Sequence, residues 1–342
     1  MNLIHVLLSK TIAKLKGSKV LQNMMEKPIP LGKLSQMGVF VDSNNKSHIL
    51  YDNLRNIIKP GASKSVSLKT VVKDRAYHLH RLKAAKSDIA SISGLINAAG
   101  KQVKDATILE VGCDIGYLCY ALAKDGAAQV QGVDTTVYKS SATSLTQELF
   151  QSNLDHERKN IQNIVQVNNV SFKEDDICNS ALPSNYFDII LSFDVLEHVS
   201  DPQKAFIQIQ RILKPGGIAV HKYNPFFSIN GGHSACTLDF LWGHVRLNDE
   251  DFVKYIQQVR PQEQTSAEAF FFHGLNRMSL SDTKEFSVNA GLDLLGCIQM
   301  AKKQTLKMLN ANILKECKHN YKNISIEDLT TVNVIIVQKK PE

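Results

Sequence analysis

The stretch Ile108-Leu109-Glu110-Val111-Gly112-Cys113-Asp114-Ile115-Gly116-Tyr117 constrains the fold of this 342-residue chain more than any other. An apolar strand ends in an acidic residue, breaks at two glycines and passes at once into an apolar helix carrying Tyr117, Leu118, Tyr120 and Leu122. Glycine lets the backbone approach a ligand closely, and the first turn of the helix offers N–H groups with no partner inside the helix. Such a unit binds a nucleotide-like cofactor at the carboxyl end of a strand. The spacing Glu110-x-Gly112-x-x-x-Gly116 sets Asp114 where a dinucleotide fingerprint, G-x-G-x-x-G, has its middle glycine, which argues against NAD or FAD.

From Thr107 onward, strand and helix patterns alternate. Strands are predicted at 107–111, 128–133, 166–172, 186–193 and 217–223, with helices at 116–124, 139–153 and 201–213 between them. A helix (281–290), a strand (292–300), a helix (303–318) and a last strand (Val332–Gln338) follow. This order predicts an α/β, Rossmann-like sheet of seven strands, mostly parallel, covered by helices. The piece from about 224 to 280 interrupts the alternation and reads as an insertion over the active site. Upstream, a helix is predicted from about Leu68 to Ala99, with Val72, Ala76, Leu79, Leu82 and Ala85 on one face. The expected division is a basic, mainly helical N-terminal segment (1–100) and a cofactor domain (101–342) containing the insertion.

The charge is unevenly placed. Net charge is +7, but residues 1–100 hold 16 Lys/Arg against 5 Asp/Glu, and the remainder holds 24 against 28. The basic excess therefore belongs to the N-terminal segment. There Ile4, Leu8, Ile12 and Leu15 recur at helical spacing beside Lys10, Lys14 and Lys16, the pattern of an amphipathic helix that docks on its own domain or touches an anionic membrane surface. No apolar run approaches the ~20 residues of a membrane span. The six cysteines show no C-x-x-C spacing, as expected of free thiols in a cytoplasmic protein.

Four further segments define the chemistry. Val130-Gln131-Gly132-Val133-Asp134 is a short strand ending in a carboxylate, placed to accept from ribose hydroxyls. Phe172-Lys173-Glu174-Asp175-Asp176 follows the third strand, on the adenine side. The run Tyr186-Phe187-Asp188-Ile189-Ile190 leads to Asp194-Val195-Leu196-Glu197-His198-Val199, and Arg211-Ile212-Leu213-Lys214-Pro215-Gly216-Gly217 follows. In this order and spacing the chain resembles the class I S-adenosylmethionine-dependent methyltransferases over roughly 107–222. The resemblance implies a transferase with S-adenosylmethionine as cofactor. It implies that Glu110, Gly112, Cys113, Asp114 and Gly116 shape the methionine side, and that Asp134 holds the ribose. Asp176, with Asp175 as the alternative, faces adenine, and Asp194 and Val195 line the cleft beside the sulfonium. Asp114 departs from the family's usual glycine. Asp194, Glu197 and His198 also resemble a divalent-metal cluster of ubiquinone-biosynthesis O-methyltransferases, against the expectation that no metal is bound.

The expected reaction is methyl transfer to a small-molecule acceptor, more readily at oxygen, which requires a base. Candidates for the catalytic histidine are His233, His244 and His198, with Arg246 and Arg277 suited to an anionic or polyhydroxyl acceptor. Two alternatives stand beside this reading. One is an RNA or protein methyltransferase using the basic N-terminal segment, although no basic motif interleaved with aromatics supports nucleic acid. The other is a non-catalytic cofactor-binding partner subunit.

Overall fold

The computed structural model describes residues 30–59, 73–135, 144–301 and 303–342. The expected amphipathic helix at Ile4–Leu15 lies outside the described residues.

Among the described residues, a short 3-10 turn (Leu31–Lys33) leads into a two-stranded antiparallel ribbon, β1 (Gln36–Val41) and β2 (Ser47–Tyr51), so the N-terminal segment contains β structure beside its helices Leu54–Ile58 and Arg75–Ala98. Seven strands then form one sheet: β3 (Thr107–Val111), β4 (Gln129–Asp134), β5 (Val170–Glu174), β6 (Phe187–Phe193), β7 (Leu213–Tyr223), β8 (Asp293–Ala301) and β9 (Thr331–Lys339). Their order is β5-β4-β3-β6-β7-β9-β8. The first five are parallel, and β9 runs antiparallel between β7 and β8. Strand order reverses between β3 and β6, so loops leaving their carboxyl ends diverge and open a crevice there.

Both faces of the sheet are covered, which is why its central strands read as unbroken apolar runs. Side chains alternate between two cores. Ile108, Ile189 and Leu191 point to one, with the helices Arg75–Ala98, Tyr117–Lys124 and Ser144–Val165. Leu109 and Ile190 point to the other, with Pro202–Ile212 and Leu280–Asn289. Asp201 caps the helix that opens at Pro202, accepting from Lys204 N at 3.0 Å. The Arg75–Ala98 helix buries Ala85, Ile89, Ile92, Leu95 and Ile96 against the sheet. Its first turns differ from the expected face: Leu79 is exposed, and His78 turns inward to Tyr117 Oη (2.9 Å) and Glu157 (3.1 Å).

A third core lies beyond the carboxyl end of the sheet. It gathers Phe40, Leu50, Leu54 and Ile58 from the N-terminal segment, Phe226, Trp242, Phe252 and Phe271 from the insertion, and Ile313, Cys317 and Leu329 from between β8 and β9. Three separate stretches of chain thus build one cap. Trp242 is fully buried there, its Nε1 donating to Leu329 O at 2.9 Å.

Candidate active site

The glycine turn sits at the carboxyl end of β3. Gly112 N and Cys113 N both donate to Val133 O (2.8 and 3.1 Å), which fastens the turn to β4. Gly112, Asp114 and Gly116 all have positive φ (+73°, +47° and +97°). The departure at Asp114 therefore has a simple cause: aspartate is among the few residues that tolerate the left-handed region a glycine would occupy. Its N–H donates to Asp134 Oδ2 at 2.7 Å, and Arg158 donates to its carbonyl at 2.7 Å. A Cβ on Gly112 would stand 2.3 Å from Val195 Cγ2, and one on Gly116 would stand 2.4 Å from the Phe172 ring, so both glycines are required by contact as well as by φ. Glu110 is buried beneath the turn and accepts from Cys119 Sγ at 2.8 Å; burial pushes its carboxyl up to about 8.

The two adenine-side candidates differ. Asp176 is exposed and caps Cys178 N at 2.9 Å. Asp175 is buried, with Oδ2 accepting from Ala181 N (3.0 Å) and Oδ1 lacking a partner among the described residues. A buried oxygen without a donor fits a cofactor with an amine to offer. Together with the glycine turn and the carboxylate ending β4, it offers acceptors where a nucleotide-like cofactor has hydroxyl and amine hydrogens to donate.

The cleft loop after β6 is held from three sides. Asp194, at φ +56°, accepts from Asn224 Nδ2 at 2.7 Å. Glu197 Oε1 accepts from Asn224 N and Nδ2 (3.1 and 3.2 Å), while Oε2 is buried with no partner among the described residues. Burial, with the Asp194 charge beside it, pushes the Glu197 carboxyl up to about 7. From the insertion, Asn276 donates to Leu196 O (2.6 Å) and Val199 O (2.8 Å), and its N–H reaches Glu197 O at 2.8 Å.

The three candidate histidines part company. His198 meets Gly274 O through Nδ1 at 2.5 Å. That carbonyl ends a single π-helical turn, Phe270–Gly274. A carbonyl only accepts, so Nδ1 carries the proton and Nε2 keeps its lone pair. Burial lowers its pKa from the ordinary histidine value. His233 is the opposite tautomer: Nδ1 accepts from Ala235 N at 3.2 Å, so Nε2 carries the proton. Its ring stacks on Phe270 at 3.5 Å and lies 6.2 Å from the His198 ring. Burial brings its pKa down to about 4. Of the two roles expected of His233, base or substrate contact, this tautomer suits the contact, with Nε2–H as a donor.

His244 lies apart from the other two. It is wholly buried in the cap, its Nε2 meeting Phe226 O at 2.9 Å, and it packs edge-on against the Phe226 ring. Arg246 is likewise engaged within the cap, bound to Glu316 (2.8 Å) and Leu241 O (3.0 Å), and Arg277 lies over Phe226 at 4.3 Å. Asp194, Glu197 and His198 do not converge as metal ligands: among the described residues no group of three His, Cys, Asp or Glu does.

Asn224, Asn276 and Lys59 are not among the residues to which the sequence assigns a role in the site. Asn224 begins the insertion directly after β7, where ligands sit in such sheets, and that position was its signal. Lys59 lies 135 positions before Asp194 and carried none.

The fold, with a glycine turn at its switch point and a carboxylate ending the neighbouring strand, is a Rossmann-like one with the layout of a nucleotide-cofactor site. Residues 79–257, just over half of the chain, match a family described as a methyltransferase domain, and the chain belongs to that family, the class I S-adenosylmethionine-dependent methyltransferases. It is 31% identical over 166 residues to a ubiquinone biosynthesis O-methyltransferase of Coxiella burnetii, covering 48% of this chain and 61% of that protein. It is 29% identical over 113 residues to the mitochondrial ubiquinone biosynthesis O-methyltransferase of Dictyostelium discoideum, covering 32% of each. The chain therefore spans less than two thirds of the curated relatives it matches. A solved S-adenosylmethionine-dependent methyltransferase from Mesorhizobium loti superposes with a TM-score of 0.45 at 14% identity, over 75% of this chain and 99% of that one.

Proposed function

We propose that this chain methylates a hydroxyl of a small-molecule acceptor, with His198 as the base that takes the hydroxyl proton. The observation that carries this is the tautomer imposed on His198. Its Nδ1–H is fixed to Gly274 O, so Nε2 presents a lone pair beside the cleft loop. Burial keeps the imidazole neutral at physiological pH, as a base requires. The O-methyltransferases among the relatives support a hydroxyl as the target.

When bound, S-adenosylmethionine supplies a methyl group already activated by a positively charged sulfur. The chain's own work is then alignment and proton removal, and alignment alone is worth ~7–11 kcal/mol of the barrier. Gly112, Cys113, Asp114 and Gly116 with Glu110 would hold the methionine part, Asp134 the ribose, and Asp175, ahead of Asp176, the adenine amine. Asp194 and Val195 would border the cleft, with Asn224 fixing the Asp194 carboxylate. His233, through Nε2–H, would orient an acceptor oxygen. The sheet would carry the donor, and the cap built from 30–59, 224–276 and 303–330 would carry the acceptor.

Two measurements test this. Titration calorimetry with S-adenosylmethionine and S-adenosylhomocysteine reads the donor site, and folded protein that binds neither overturns it. A panel of phenols and matched amines, assayed by S-adenosylhomocysteine release, reads the acceptor atom. Turnover confined to amines overturns the assignment to oxygen.

A further inference from the structure

Lys59 reaches the active site from outside the segment that matches the family, which begins at residue 79. It closes the short helix Leu54–Ile58, which is pinned to the insertion by Arg55. That guanidinium donates twice to Glu263 (3.0 and 2.8 Å) and once to Ser234 O (3.3 Å). Lys59 Nζ then donates to Gly232 O at 2.9 Å, on the turn that presents His233. Its charge is felt by His198 and His233, and it in turn feels Glu197 and Asp194. Yet among the described residues no carboxylate lies within ion-pairing distance of it. A mostly buried ammonium with one carbonyl partner is an expensive arrangement unless something else satisfies it.

We propose that Lys59 is the anion-binding group of the acceptor site, and that the acceptor carries a carboxylate close to the hydroxyl that is methylated. This rests on the reading of the site as a hydroxyl methyltransferase. The geometry selects the anion. One donor of the ammonium is taken by Gly232 O, which leaves two for the oxygens of a single carboxylate. Asp194 and Glu197, both held by Asn224, bring negative charge that Lys59 feels, and that charge opposes a dianion such as a phosphate monoester more than a single carboxylate. Lys59 is bonded to Gly232, the residue before His233, and the His233 ring lies 6.2 Å from that of His198, so the anionic group and the reacting hydroxyl would be near neighbours on the acceptor.

The test uses salicylate and its neutral counterpart salicylamide, titrated into the full chain saturated with S-adenosylhomocysteine. The unaltered protein is expected to bind salicylate about tenfold or more tighter than salicylamide. Lys59→Met should abolish that preference while S-adenosylhomocysteine affinity is unchanged, and Lys59→Arg should keep most of it. The melting temperature of Lys59→Met should hold or rise, because a charge reserved for a ligand is a liability without it. No preference for salicylate in the unaltered protein, or a preference that survives Lys59→Met, overturns the proposal. So does a Lys59→Met protein that melts earlier and loses both ligands alike, since that marks Lys59 as a strut for Gly232. Failure of the unaltered protein to bind S-adenosylhomocysteine instead overturns the donor reading beneath it.

Discussion

His198 and His233 sit 6.2 Å apart in one cleft, yet the backbone gives them opposite tautomers: a carbonyl faces the first and an N–H faces the second. Replacing His198 with Ala is expected to lower kcat about 10²- to 10⁴-fold with donor affinity intact, whereas His233→Ala should act mainly on KM. Steady-state rates and calorimetry on both variants check this. The acid limb of the kcat profile should fall below the ordinary histidine value near 6.5, because the His198 pKa is lowered and only its neutral form accepts a proton. Glu110 makes a second pH prediction. Its folded pKa of about 8 lies above its ordinary value of 4.5, so the folded chain holds a proton that the unfolded chain releases. Stability must then fall as pH rises from about 4.5 to about 8, and Glu110→Gln should flatten that slope in thermal melts. The residue types of this site were legible in the sequence. Which nitrogen carries the proton was not, because that depends on backbone groups 76 positions away for His198 and two away for His233.

Elements explain why the motifs look as they do. In the Phe187-Asp188-Ile189-Ile190 run, Asp188 accepts from Thr107 N (3.0 Å) and Lys214 Nζ (2.8 Å), far from any chemistry. Arg211 donates to Leu182 O, Ser184 Oγ and Ser180 O, bracing the loop before β6. These motif residues fix strand register. β7 also starts at Leu213, four residues earlier than its pattern indicated, because Lys214-Pro215-Gly216-Gly217 forms an irregularity within the strand that apolar periodicity cannot reveal. The central strands β3 and β6 were readable because burial on both faces leaves long apolar runs, whereas the edge strand β5, with no buried residue, starts at Val170, four residues later than its pattern indicated. Two predictions belong here. Gly112→Ala adds a Cβ 2.3 Å from Val195 at a φ of +73°; strain of ~1–2 kcal/mol plus the clash should weaken S-adenosylhomocysteine binding by about tenfold or more in calorimetry. Asn276→Ala leaves the Leu196 and Val199 carbonyls short of a donor. It should cost ~1–3 kcal/mol in denaturant melts and lower kcat as the cleft loop loosens.

At the scale of the whole molecule, the cap was the least legible part. The sequence marked its central piece as an insertion but assigned 30–59 to a separate basic segment and 303–318 to the sheet domain. Nothing local ties Leu54 to Leu329; only the shared core does. Leu54→Ala should destabilise by ~2–5 kcal/mol in chemical denaturation while leaving donor affinity in place, because the sheet keeps its own cores. No helix among the described residues is long and apolar enough to cross a membrane. The cap also sets an order in time. Its contacts join stretches separated by 208 positions, as between Arg55 and Glu263, and more, as between Lys46 and Glu316, and closing such long loops slows a chain's search for its native state. The sheet's β3–β4 pairing is far more local. During refolding, the donor pocket should therefore return before the acceptor pocket, leaving a transient species that grips its cofactor with nothing to hand it to. The protein carries its own clock for this: its single tryptophan lies in the core of the cap, so recovery of Trp242 emission should lag recovery of S-adenosylhomocysteine binding.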